Sequence, residues 1–250
     1  MIISYKHKFI FIHCRKVAGS SIKVDLAPYL GDEDIIIGSL HEILQAGYRL
    51  PKRVKRDLFS LKGTGIFLAY LATGRSPSRA VSGLKWMYRN KLGSKPAHPS
   101  AETIRKAFPY EWDNFTKFAF VRNPFDRLAS DYTWRMRLAR KHIPFRNFLE
   151  DIVYNRNETG MMHSGRVSNW EMISVNDMLA VDKIGYYENL EYDFSKILCS
   201  IGIPNAQLVS KAKDRQSRKT YENMYGPHEI DLVRIGFARE LSTFGYEYPF

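Results

Sequence analysis

Residues 14–23 read Cys14-Arg15-Lys16-Val17-Ala18-Gly19-Ser20-Ser21-Ile22-Lys23, "CRKVAGSSIK", and follow the apolar run Lys8-Phe9-Ile10-Phe11-Ile12-His13. That run is too continuously apolar for a strand with one wet face and reads as a buried strand. From Ser20 to Leu30 the pattern is helical, with Ile22 and Leu26 one turn apart and Gly31 beyond the end. A plain turn between strand and helix needs glycine but has no use for lysine. A strand, a small-residue turn and a helix N-terminus together aim free backbone N–H groups at an anion. Ala18, Gly19 and Ser20 allow close approach, Ser20 and Ser21 add hydroxyls, and Lys16 adds a mobile positive charge. The helix end contributes only ~0.3–1 kcal/mol, so lysine and direct bonds must supply the rest.

Working outward, strands and helices alternate. Lys117–Val121 is a second buried strand, and a helix from Pro124 carries the stripe Phe125, Leu128, Ala129, Tyr132 and Met136. Asn123 is a natural N-cap and Pro124 suits the first helical position. Ile184–Tyr187 reads as a short strand, Leu190–Ile201 as a helix stopped by Gly202, and His228–Phe244 as a final amphipathic helix. The middle, Leu40–Phe108, reads as mostly helical, with breaks at Gly63-Thr64-Gly65, Gly74-Arg75-Ser76-Pro77 and Lys95-Pro96. The expected fold is α/β: a P-loop-like, three-layer domain with a central parallel sheet flanked by helices. Ligands then belong at the carboxyl ends of the strands. One domain over 1–250 is expected, with a basic, mostly helical insertion at about 48–97.

The charge balance singles out that insertion. The chain of 250 residues carries a formal net charge of +12. Residues 49–97 hold twelve Lys or Arg and one acid, Asp57, so twelve minus one leaves +11 there. Such a field gathers anions, and a solvated basic surface is the plain alternative. The segment is expected either to recruit an anionic acceptor or to dock on a membrane surface. Two isolated cysteines, Cys14 and Cys199, support neither a disulfide framework nor a zinc site. The N-terminus lacks the pattern of a secretion signal, and no apolar run approaches a membrane span. A reducing, cytoplasmic setting is the expectation.

A second polar loop, Phe118–Tyr132 ("FAFVRNPFDRLASDY"), places Arg122 at a strand end and Ser130 on the following helix, off its apolar stripe. Arginine and a hydroxyl converging on one phosphate make a sensible pair. Pairing of Arg122 with Asp126 or Asp131 is the structural alternative. The first loop is not G-x-x-x-x-G-K-[ST], because Lys16 precedes Gly19.

Together the two loops resemble the sulfotransferases that use 3′-phosphoadenosine 5′-phosphosulfate (PAPS), in the branch acting on carbohydrates. Lys16-Val17-Ala18-Gly19-Ser20-Ser21 is similar to that family's 5′-phosphosulfate loop, with Arg15 beside it. Arg122-Asn123-Pro124-Phe125-Asp126-Arg127-Leu128-Ala129-Ser130 is similar to its 3′-phosphate segment. Tyr187-Glu188 resembles a pair whose aromatic ring lies by the adenine, and Phe244-Gly245-Tyr246 resembles the family's ending. Arg215, Arg218 and Lys219 resemble a late basic segment near the nucleotide, and a solvated loop explains them nearly as well. The likeness covers about 1–40 and 98–250, whereas 48–97 matches none of its motifs.

The resemblance implies in-line transfer of a sulfuryl group from PAPS to a hydroxyl or amine, leaving PAP and needing no metal. The acceptor it implies is a carbohydrate or other small, anionic, glycan-like molecule, with no nucleic-acid partner. Lys16 would stabilise the leaving oxygen. His98, at a family-like distance before Arg122, is the first candidate base, with a helix-start role as its alternative. His163 is the second candidate, Glu102 a distant third, and His13 reads as structural. A kinase of related architecture and a non-catalytic polyanion-binding module are the competing functions.

Overall fold

Burial of every residue in Phe9–Ile12 is what makes this run the middle of a sheet. The structure is a computed structural model describing residues 1–140, 142–160, 168–209 and 221–249. Among these, the main sheet has β1 (Ile2–Ser4), β2 (Phe9–Ile12), β3 (Ile35–Ile36), β4 (Thr116–Val121) and, after a small hairpin of β5 (Ser174–Val175) and β6 (Met178–Leu179), β7 (Lys183–Tyr186). The strand order is β3-β1-β2-β4-β7. β2 pairs in parallel with β4, Phe11 opposite Phe118, and β4 in parallel with β7, Phe120 opposite Gly185. Gly185 is required there: a Cβ would fall 2.3 Å from the Phe120 ring.

The expected parallel sheet needs one correction. β1 runs antiparallel to both β2 and β3, so four strands point one way and one against them. The reversal after β1 carries no Gly or Pro, which is why it is silent in the sequence. Asp34, distant in the chain, organises it. Its carboxylate accepts from the Ser4 hydroxyl (2.6 Å) and from the amides of Tyr5 (2.8 Å) and Lys6 (3.2 Å). It also accepts from the Gly31 amide at 2.8 Å. A buried carboxylate with four donors is a satisfied one.

Each of the three parallel central strands runs into a helix at its carboxyl end: Gly19–Leu26 after β2, Pro124–Ala139 after β4, Leu190–Ser200 after β7. The first is shorter than expected, passing into a 3₁₀ turn, Ala27–Tyr29, around Pro28. The stripe Phe125, Leu128, Ala129 and Tyr132 is buried with Phe145, Phe148, Leu232 and Val233 in a second core, and Met136 packs on it. The single helix expected over His228–Phe244 is two, Pro227–Gly236 and Ala238–Phe244, with buried Phe237 at the break. Burying Phe237 decides where the chain bends.

Glycines misled the reading of the middle segment. The helix Leu61–Ala72 runs unbroken through Gly63-Thr64-Gly65 and starts at Ser60, whose hydroxyl accepts from the Gly63 amide. Gly63 serves close packing instead, since a Cβ there would lie 1.8 Å from the Asp57 carbonyl oxygen. The breaks at Gly74 and Lys95-Pro96 are present. Val54, Val81, Leu84 and Leu92 from this segment are buried in the same core as the strands.

Candidate functional site

The loop between β2 and its helix is wound tightly. Lys16 and Ala18 both have left-handed backbone, φ 60° and 59°. Non-glycine residues in that region cost on the order of 1–3 kcal/mol each and gather where ligands are clamped. The first helical bond runs from the Ile22 amide to the Ala18 carbonyl at 3.0 Å. The amides of Gly19, Ser20 and Ser21 therefore leave the helix end, beyond a left-to-right-handed step at Ala18 of the kind that forms an anion nest. Val17 is fully buried and anchors the loop. Gly19 is needed for space, since a Cβ would fall 1.8 Å from the His13 ring. Ser20 accepts a hydrogen bond from Ser39, 3.2 Å away and itself left-handed. Ser21 is half-buried.

At the end of β4 the chain presents Arg122, 7% exposed. Its Nε donates to Asp126 at 2.7 Å and its Nη1 to the Lys16 carbonyl at 2.9 Å. Its guanidinium carbon lies 4.0 Å from the centre of the Tyr187 ring, a cation–π contact. Arg122 thus joins the first loop, its own helix and the turn after β7. Burial works against its charge, but Asp126, together with Tyr187 and Tyr221, outweighs that and the net shift of its pKa is upward. Pairing with Asp126 uses one of its five N–H donors and the Lys16 carbonyl a second, so the structural alternative is realised without using up the guanidinium.

Around Arg122 the second segment is tightly tied. Asn123 caps its helix by accepting from the Phe125 amide at 3.1 Å, and its own amide donates to Glu188 at 2.9 Å. Glu188 also accepts from the Tyr246 hydroxyl at 3.0 Å, which places the chain's ending beside this turn. Arg127 and Glu240 form a buried ion pair at 2.9 Å. Arg15 reaches Asp131 at 3.4 Å, and Ser130 is half-buried in the second turn of the helix. The Lys16 ammonium lies over Trp134, 5.5 Å from the ring centre. Trp134 was missed in the sequence, although it stands four residues after Ser130 on the same helical face.

His98 packs against the first loop's base. Its ring is 4.3 Å from that of His13, and its Nδ1 lies 3.0 Å from the His13 carbonyl. A carbonyl can only accept, so Nδ1 carries the proton and, in the neutral ring, Nε2 keeps its lone pair. Burial, with buried Lys23 nearby, pushes the His98 pKa down to about 3, and His13 is lowered for the same reasons. Helix starting falls to Ser100, whose hydroxyl accepts from the Thr103 amide. Ala97 is pinned by the buried amino group of Met1 at 3.2 Å, which holds His98 in place. Glu102 faces solvent and pairs with Lys106. His163, Arg215, Arg218 and Lys219 lie outside the described residues.

Lys16, Arg122 and Tyr187, distant in the chain, are therefore brought to one place at the carboxyl ends of the parallel strands. The family model described as "Sulfotransferase family" matches residues 1–246. An uncharacterized protein of Archaeoglobus fulgidus is 29% identical over 137 residues, 54% of this chain and 96% of that relative. No solved structure matches the chain.

Proposed function

Because this chain belongs to the sulfotransferase family, we propose that it moves a sulfuryl group from PAPS to a hydroxyl or amine of a carbohydrate or other glycan-like acceptor. The observation that carries this reading is Arg122, which touches the Lys16 carbonyl and the Tyr187 ring at once. The residues fit the donor: the amides of Gly19, Ser20 and Ser21 with Lys16 suit the phosphosulfate end, and Arg122 with Ser130 suits a 3′-phosphate. Tyr187 offers an aromatic face to adenine, and Arg15 adds charge beside the first loop. PAPS supplies an activated sulfuryl group whose departure leaves negative charge on PAP.

Lys16 neutralises charge building on the leaving oxygen, and Ser20 with the loop amides holds the terminal oxygens. One such preorganised donor is typically worth ~10²–10³ in rate. His98 takes the acceptor proton on Nε2, its tautomer already set by the His13 carbonyl. A base with a pKa of about 3 is weak, but an anionic donor bound alongside raises it. His163 is the other candidate. Calorimetric titration with PAP and with ATP tests the reading. Tight binding of PAP, lost in Lys16→Ala, is expected; equal or better binding of ATP would overturn it in favour of a kinase. Retention of polyanion binding in Lys16→Ala, with no PAP binding in the parent, would favour the binding-module reading.

A further inference from the structure

The helix Leu61–Ala72 is apolar on two opposite faces. Inward, Ile66 and Tyr70 close on Gly83, where a Cβ would come within 3.1 and 2.9 Å of their side chains. The Tyr70 hydroxyl there accepts from the Trp86 indole at 2.6 Å. Outward, Leu61, Gly65, Leu68 and Ala72 recur at i, i+4, i+7 and i+11, and all are exposed. Leu61 is 97% and Leu68 56% exposed, and Phe59, just before the helix, is 80% exposed. Helices of soluble proteins turn such a stripe to a core. A solvent-facing stripe of this kind marks an interaction site.

The surroundings of the stripe are basic. Lys62 is the one charged residue of the helix, and the exposed Lys55, Arg75 and Arg79 lie on the segments that adjoin it before and after. A second copy meeting this face across a two-fold axis would bring two segments of +11 together. A soluble polyanion would satisfy the charge but leave Phe59, Leu61 and Leu68 in water. An anionic bilayer surface satisfies both. At twelve residues the helix is about 18 Å long, and no described helix is long and apolar enough to cross a membrane. It can lie in the headgroup layer, where an apolar face flanked by Lys and Arg is at home.

We propose that the Leu61–Ala72 helix docks the protein on an anionic membrane surface, with Phe59, Leu61 and Leu68 entering the headgroup layer and the flanking Lys and Arg on the lipid phosphates and carboxylates. The test is cosedimentation of the full chain with phosphatidylcholine vesicles, alone and mixed with phosphatidylserine, at low and high salt. Wild type should pellet with the mixed vesicles at low salt, not with phosphatidylcholine alone, and less at high salt. Leu61→Ser/Leu68→Ser should weaken partitioning about tenfold by loss of apolar burial. Lys62→Glu and Arg79→Glu should each weaken it about fivefold or more, near the value of one basic residue at such a surface. Protein that stays in the supernatant at low salt overturns the proposal. So does a double serine variant that binds as tightly as wild type, which would assign the face to soluble polyanions. Conversion of a dimer to a monomer by the serine variant would assign it to a second copy. Should the serine variant melt below wild type, the two single glutamate variants decide the question. Failure here leaves the sulfotransferase reading standing.

Discussion

The two loops at the carboxyl ends of the sheet do different physical work. Around Gly19 the chain presents backbone: left-handed Lys16 and Ala18, outward amides, and a lysine whose ammonium rests on Trp134. Around Pro124 it presents side chains already spoken for, Arg122 with Asp126, Arg127 with Glu240, Arg135 with Asp131. The first loop is a strained cradle and the second is a braced wall. A motif rich in arginine is therefore mostly architecture here, with Arg122 the residue that faces both ways.

That contrast predicts where stability and activity should separate. The largest effect belongs to the wall. Arg127→Met strands the Glu240 carboxylate, fully buried against it, and should cost roughly 3–5 kcal/mol, as broken buried pairs do. Chemical denaturation measures it, and a loss under 1 kcal/mol would undo the distinction. Next comes the cradle: Lys16→Met should lower kcat by ~10²–10³ while the melting temperature holds. A matching fall in melting temperature would mean that this loop too is architecture.

An acid titration sharpens the boundary between them. His98 has a folded pKa of about 3, below the ~6.5 of an exposed histidine, so the unfolded chain binds the extra proton between those values. The stability that its neutral burial permits is complete above about pH 6.5 and falls as pH drops toward 3. By pH 5 one such histidine costs about 2 kcal/mol relative to pH 7. His98→Gln should remove that share and leave the share of His13. Denaturation curves that fall equally in both proteins would show that His98 does not titrate as described. The smallest effect is expected at Trp134→Leu, which removes a cation–π contact worth ~0.5–1 kcal/mol. Steady-state kinetics should show a change of about fivefold or less, absent in a Lys16→Met background; full additivity would separate the two side chains.

Much of this was legible in residue order because it is local. The buried strands at Phe9–Ile12 and Thr116–Val121, the Asn123-Pro124 helix start and the stripe from Phe125 to Tyr132 are short-range patterns, and each lies within a residue or two of its expected place. The proposed anion site is likewise read from neighbours alone, a lysine before a small-residue turn. Glycine was the unreliable sign: Gly63 and Gly19 are needed for close packing against Asp57 and His13, which no local rule reveals.

Long-range events were settled only by the folded chain. Asp34 bends a turn some thirty residues earlier, and it takes burial of its carboxylate to make those four bonds worth forming. Arg122 meets the Lys16 carbonyl across 106 positions, and His98 meets His13 across 85. Strand and helix identity follow from the period of apolar residues, which a chain carries in its order. The direction of β1, the tautomer of His98 and the partner of each arginine depend on which groups lose water together, and packing alone chooses those.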